Sequence, residues 1–149
     1  MTAHAGRILA IDYGSKRVGV AMSDPLRVIA RGVTTLDNDK DLMQKLRSLI
    51  REEGATRIVV GMPYDADGGK GSKALQVDRF IEKLKEAGDV QIDTWDESYS
   101  SVNAHRVFVE TGMKRKKRRE KKRVDEMAAR LMLQEYLDYY YSDTPAHSG

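Results

Sequence analysis

Short, nearly unbroken apolar runs alternate with polar, glycine-bearing breaks along the first hundred residues. Ile8–Ile11 and Val18–Met22 flank Asp12-Tyr13-Gly14-Ser15-Lys16-Arg17. Both runs are rich in β-branched residues and bounded by turn residues, which predicts a β-hairpin. The first run holds no polar residue, as expected of a strand buried on both faces at the centre of a sheet. Arg27–Leu36 predicts a third antiparallel strand. Leu42, Met43, Leu46, Leu49 and Ile50 repeat at helical spacing and predict an amphipathic helix over 40–53. Asp37-Asn38-Asp39 supplies its start signal and Gly54 its stop. Arg57–Gly61 is the next strand, and one reached through a helix is expected to run parallel to the first. Val77, Phe80, Ile81 and Leu84 predict a second helix ending near Gly88. Val90–Trp95 alternates like an edge strand, and Ser100 or Ser101 can cap a third helix reaching Thr111. Val124–Tyr140 predicts the last helix, with Val124, Met127, Ala128, Leu131, Met132 and Leu137 as its buried side. Tyr139-Tyr140-Tyr141 is expected to fold over the domain or to meet another subunit. The order of elements predicts an α/β fold in one domain over 1–149, with loose ends at 1–6 and 142–149.

The polar breaks carry the chemistry. Asp12 ends a buried strand, where a carboxylate is costly unless something pairs with it. Gly14 permits a tight turn and the close approach of a ligand. Pro63, Asp65, Asp67, Gly68, Gly69 and Gly71 make 62–73 a loop. It is either a plain connection or a flap that orders over substrate, with Lys70 and Lys73 reaching phosphates. The chain has no cysteine, which excludes disulfides, thiol catalysis and Cys-zinc sites. Its histidines are His4, His105 and His147 alone, a poor basis for a His-metal centre. No run approaches the ~18 apolar residues of a membrane span, and no signal-peptide core is visible. The expected location is the cytoplasm.

The formal net charge is +3. Lys114 to Arg123 holds nine basic residues and one acid, so it contributes +8 and the remainder 3 − 8 = −5. Positive charge is therefore a local device on an acidic protein. The expectation is a basic loop over 112–123, in which Lys114, Arg115, Lys116, Lys117, Arg118, Arg119, Lys121, Lys122 and Arg123 hold a phosphate backbone without reading sequence. Lys16 and Arg17 in the hairpin turn are further candidates for phosphate contact. Trp95 and Tyr99, around Glu97, are either packing residues or base-stacking ones.

Three carboxylates stand out by position. Read singly, Asp12 is a turn cap, Glu97 a surface acid and Asp125 an acid near a helix N-terminus. Taken together they suggest more. Parallel strands would bring Asp12 and Glu97 to the same carboxyl edge of the sheet, where sites of open α/β sheets lie. A last helix packed across that edge would deliver Asp125. Three converging carboxylates repel one another unless a cation intervenes. Hard oxygen ligands select Mg²⁺ or Mn²⁺, and two such ions about 4 Å apart suit in-line attack on a phosphodiester.

Ile-Asp-Tyr-Gly-Ser-Lys-Arg-Val-Gly-Val-Ala-Met-Ser-Asp at 11–24 resembles the opening motif of the YqgF (RuvX) family. The resemblance extends to Ile-Val-Val-Gly-Met-Pro at 58–63 with Asp67-Gly68, to Asp96-Glu97 followed by Ser100-Ser101, and to Val124-Asp125. It spans about 7–138 in order and spacing. It implies an RNase H-like fold, a five-stranded mixed sheet with helices on both faces. It also implies a cytoplasmic bacterial nuclease that processes the 5′ end of pre-16S rRNA or resolves Holliday junctions. Asp12, Glu97 and Asp125 are then the catalytic metal ligands. The chain departs from the pattern at Ser98, where the family has Arg. Gly61-Met62-Pro63 stands where related nucleases place a carboxylate after the fourth strand, leaving Asp65 and Asp67 in reserve.

Two other classes share some of these features. A nucleotide-binding protein of the actin and sugar-kinase type also uses an Asp-x-Gly hairpin, but needs a second lobe and a second hairpin, which this chain lacks. A non-catalytic nucleic-acid-binding module of the same fold would fit Ser98, though all three carboxylates are present. Metal-dependent cleavage separates these readings. A resolvase requires paired sites, so a homodimer bears on the choice of substrate.

Overall fold

The computed structural model describes residues 6–86, 88–97 and 118–142, with backbone alone over 118–121. Strands β1 (Arg7–Tyr13), β2 (Arg17–Ser23) and β3 (Ala30–Asp37) form an antiparallel meander. Helix α1 (Leu42–Glu53) leads to β4 (Ala55–Met62), and helix α2 (Ser72–Lys85) to β5 (Gln91–Asp96). Among the described residues the last element is helix α3 (Arg118–Tyr141). The five-stranded sheet has the order β3-β2-β1-β4-β5, with β4 parallel to β1 and β5 parallel to β4. The all-apolar run of β1 thus lies at the centre, as its composition requires.

Alternation along β1 divides the core. Leu9 and Ile11 face α1 and α2 together with Leu46, Val77, Phe80 and Leu84. Ile8 and Ala10 face α3, against Ala128, Ala129, Met132, Leu133 and Tyr136. Helices therefore cover both faces. Helix α1 ends where expected, at Gly54, whose φ of +69° lets its N–H reach the carbonyls of Arg51 and Ile50.

Helix α3 corrects two expectations. The second half of the basic run, Arg118 to Arg123, is helical rather than a loop. Lys, Arg and Glu are good helix formers, and helix propagation from the buried segment extends through them at little cost. Asp125 consequently lies well inside the helix, so charge complementarity to a helix N-terminus does not explain it. The buried stripe is also rotated: Ala129, Leu133 and Tyr136 are buried, whereas Met127 is exposed. Small Ala128 and Ala129 let the helix settle close to the sheet, and that sets the stripe. The predicted helix over 100–111, Tyr99 and Lys114–Lys117 lie outside the described residues.

Helix α3 is anchored along its length. The Thr35 hydroxyl donates to the Lys122 carbonyl at 2.6 Å, and the Tyr136 hydroxyl to Asp93 at 2.7 Å. At its C-terminal end, buried Arg27 donates to the Tyr141 hydroxyl at 2.9 Å, to the Gly6 carbonyl at 3.0 Å and to Thr56 Oγ1 at 3.1 Å. These acceptors offset the desolvation of a buried guanidinium. Tyr139 and Tyr140 pack edge-on against Trp95, with ring centroids 5.6 and 6.1 Å away. Trp95 is thus a packing residue at the sheet edge. No described helix is long and apolar enough to cross a membrane.

Candidate active site

The carboxyl ends of β1, β4 and β5 open into a cleft of about 320 Å³. Its walls include Asp12, Glu97 and Asp125, together with Lys16, Arg17 and Lys73. Backbone close approach explains how three distant segments share it. Asp12 stands opposite Gly19 on β2. Residue 19 has no side chain to hold α3 away, and the Asp125 carbonyl occupies the space a Cβ would need. On the other flank, Gly61 follows Val60, the partner of Ile11. A Cβ at Gly61 would lie 2.8 Å from Glu97 Cδ and 2.7 Å from Met132 Sδ. Two glycines inside strands therefore make room for two of the carboxylates around the third. Gly within an apolar run often marks such an approach, so these two glycines are the signal of the site that the sequence carries.

The turn carrying Lys16 and Arg17 is fixed from β3's end. Asn38 donates from Nδ2 to the Gly14 carbonyl at 2.8 Å and from its backbone N–H to the Lys16 carbonyl at 2.9 Å. Gly14 tolerates no side chain, since a Cβ there would meet the Arg17 carbonyl at 2.6 Å. Tyr13 turns to the opposite face and stacks on Phe80 at 4.4 Å.

The cleft sets three acids, Asp12, Glu97 and Asp125, against three bases, Lys16, Arg17 and Lys73. Asp125 accepts from Arg17 Nε at 2.8 Å, and the two side chains are 13% and 24% exposed. Burial pushes the Glu97 carboxyl up to about 7, the Asp96 charge adds to the rise, and Lys73 opposes it. The sign of the consequence is fixed. Between the ordinary value of 4.5 and about 7, the folded protein keeps a proton that the unfolded chain has released. Metal-free stability therefore declines as pH climbs through that window. Glu97→Gln should melt above wild type at pH 8 in EDTA and alongside it at pH 4.5. Thermal melts at the two pH values check this, and an equal difference at both would refute it.

The remaining sequence candidates fall elsewhere. Asp67 Oδ1 accepts from the Gly69 N–H at 2.9 Å, and Asp65 lies against Gly71 at the start of α2. Neither lines the cleft. Lys70 pairs with Asp78 at 2.9 Å on the surface, leaving Lys73 and Pro63 as the cleft's contacts from this region. Lys122 and Arg123 are exposed one turn before Asp125.

As a set of hard oxygen donors, two of them largely buried, the three acids suit Mg²⁺ or Mn²⁺. Their present geometry is open: among the described residues no three Asp, Glu or His groups close around a common point. Asp125 is drawn toward Arg17 instead.

Residues 6–139 match the family described as RuvX, Holliday junction resolvase. Two relatives that carry the name pre-16S rRNA nuclease are similar over nearly their full length. The protein from Desulforamulus reducens is 44% identical over 89% of this chain and 96% of its own. That from Bacteroides fragilis is 37% identical over the same shares. Among solved structures, Thermus thermophilus RuvC in complex with a Holliday junction substrate superposes with a TM-score of 0.54 at 12% identity, covering 89% of this chain and 94% of that one. The fowlpox virus Holliday junction resolvase gives 0.51 at 16%, covering 89% and 98%. These two likenesses show the RNase H-like fold.

Proposed function

This chain belongs to the RuvX family, and on that premise we propose that it is a single-domain, metal-dependent endonuclease that trims the 5′ end of pre-16S rRNA in the cytoplasm. The observation that carries the reading is the arrival of Asp12, Glu97 and Asp125 in one cleft beside Lys16, Arg17 and Lys73. Divalent ions held by the three acids would supply Lewis-acid stabilisation of the attacking and leaving oxygens of the phosphodiester. The chain's own residues do the rest. Asp12 presents its carboxylate from the central strand. Glu97 closes the rim beside Gly61. Asp125 is carried in by α3. Lys16 and Lys73 flank the carboxylates and meet the phosphates on either side of the scissile bond. Lys122 and Arg123 add exposed positive charge ahead of Asp125 for the phosphate backbone, and the other basic residues of 114–123 are proposed to hold the same backbone. Such contacts supply affinity without sequence preference, so the shape or single-strandedness of the RNA sets the cleavage site.

The family description favours a second reading, resolution of four-way DNA junctions. It requires two sites per substrate and hence a homodimer, whereas RNA trimming requires one. The test is cleavage of labelled, 5′-extended 16S RNA and of a four-way junction, each with Mg²⁺, Mn²⁺ or EDTA. The expected result is cleavage of the RNA that requires the ion, by a form that sediments as a monomer. Cleavage in EDTA, or none with either ion, would overturn the nuclease mechanism. Preference for the junction by a dimer would transfer the assignment to the second reading.

A further inference from the structure

The geometry points to Arg17 as an internal counter-cation, which holds Asp125 while the cleft lacks a divalent ion and turns to a substrate phosphate when the ion arrives. The inference rests on the metal-dependent nuclease reading above and concerns how that site is assembled.

Arg17 opens β2 two residues before Gly19. Alternation puts residues 17, 19 and 21 on the face that receives α3. The close approach of the Asp125 backbone to Gly19 therefore delivers the Asp125 side chain to Arg17, which meets it at 2.8 Å across 108 residues of sequence. The contact is made through Nε to Oδ2. Among the described residues the terminal nitrogens of Arg17 carry no hydrogen bond, and Arg17 is one of the residues that line the cleft. A guanidinium held at one point has its fork to spare, and that fork matches a phosphate bidentately. Asp125 in turn spends part of its charge on Arg17.

Charge decides the order of events. With Arg17 in place, three acids of the cleft already face three bases. A dication placed among Asp12, Glu97 and Asp125 repels the adjacent guanidinium and takes over its partner. The displaced arginine remains in the cleft on the strand end that Asn38 fixes, and the anion available to it is the nucleic acid. Ion binding and substrate gripping are thereby coupled, and by linkage each favours the other. A substrate that arrives before the ion meets an arginine that is already engaged.

The test compares wild type, Arg17→Gln and Arg17→Lys, each confirmed as folded by circular dichroism. Calorimetric titration of the nucleic-acid-free protein with Mn²⁺ is the first readout. Arg17→Gln should bind Mn²⁺ more tightly than wild type, by roughly 5- to 100-fold, the usual span of coupling between linked sites. Arg17→Lys keeps a competing charge and should stay near wild type. At saturating Mn²⁺, Arg17→Gln should show a raised KM for RNA and a salt slope smaller by about 0.7 to 0.9, the loss of one phosphate contact, whereas Arg17→Lys keeps the slope and loses only the bidentate grip. Damage to the fold cannot tighten ion binding, so the first result separates a positioning role from a structural one. Wild type that binds Mn²⁺ and cleaves, with Arg17→Gln binding no tighter, overturns the inference and leaves the nuclease reading standing. An unchanged KM overturns the handover to phosphate. Failure of wild type to bind Mn²⁺ or to cleave with any divalent ion overturns the nuclease reading, and this inference with it.

Discussion

Asp12→Asn is expected to cut metal-dependent cleavage on the order of 10³-fold or more, because removing a ligand forfeits several kcal/mol of charge stabilisation at about 1.4 kcal/mol per tenfold. The fold should survive. Asp12 is 5% exposed at the end of the central strand, and asparagine matches its shape. Replacing one of three neighbouring carboxylates with a neutral amide also relieves like-charge repulsion in the cleft, so the metal-free variant should melt close to the wild-type temperature. The combination is diagnostic, since unfolding would lower both activity and melting temperature. Single-turnover cleavage at saturating Mg²⁺ and a thermal melt in EDTA are the measurements. A rate within tenfold of wild type would remove Asp12 from the chemistry.

Asp12 was legible because its context is local. An unbroken apolar run that ends in Asp-Tyr-Gly reads as a buried strand with an acid at its mouth, and β1 lies at the sheet's centre. The direction of β4 followed from the helix before it, since a helical crossover returns the chain parallel. The edge character of β5 showed in its alternation. What stayed hidden depends on residues brought together from far apart. The Arg17–Asp125 pair spans 108 positions, and nothing within either segment announces the other. The basic run read as a loop because its charge pattern has no apolar stripe. Its helicity is continuous with a buried segment that begins at Val124. Arg27 was similarly silent: a lone arginine at the start of a predicted strand gives no sign that Gly6, Thr56 and Tyr141 will surround it. Gly61 and Gly19 counted in the sequence as neutral members of apolar runs. Their function lies in what they omit, and that becomes visible only with α3 in place.

Gly19 supports the second large prediction, because it separates the position of Asp125 from its chemistry. Gly19→Ala changes no charge and adds one methyl group. That methyl would collide with the Asp125 carbonyl, a backbone atom that no side-chain rotation can move aside. Helix α3 must lift or slide, and overpacking of this kind costs about 1–3 kcal/mol. The anchors at Thr35, Tyr136 and Arg27 resist that movement, which concentrates the displacement near Asp125. A shift of about 1 Å in a catalytic group is enough to cost roughly 10²-fold in rate. Gly32→Ala supplies the comparison. It lies on the same face of the adjoining strand, yet its Cβ would meet only the Glu126 side chain, Oε2 at 2.6 Å and Cγ at 2.7 Å, and no backbone atom. Glu126 can turn away, and alanine improves on glycine in a strand, so this variant should retain wild-type cleavage and stability. The expected result is therefore a loss of activity together with a lower melting temperature for Gly19→Ala, and neither for Gly32→Ala. Single-turnover rates and thermal melts of the two variants decide it. Wild-type cleavage by Gly19→Ala would mean that the close seating of α3 on β2 is not what brings Asp125 to the cleft.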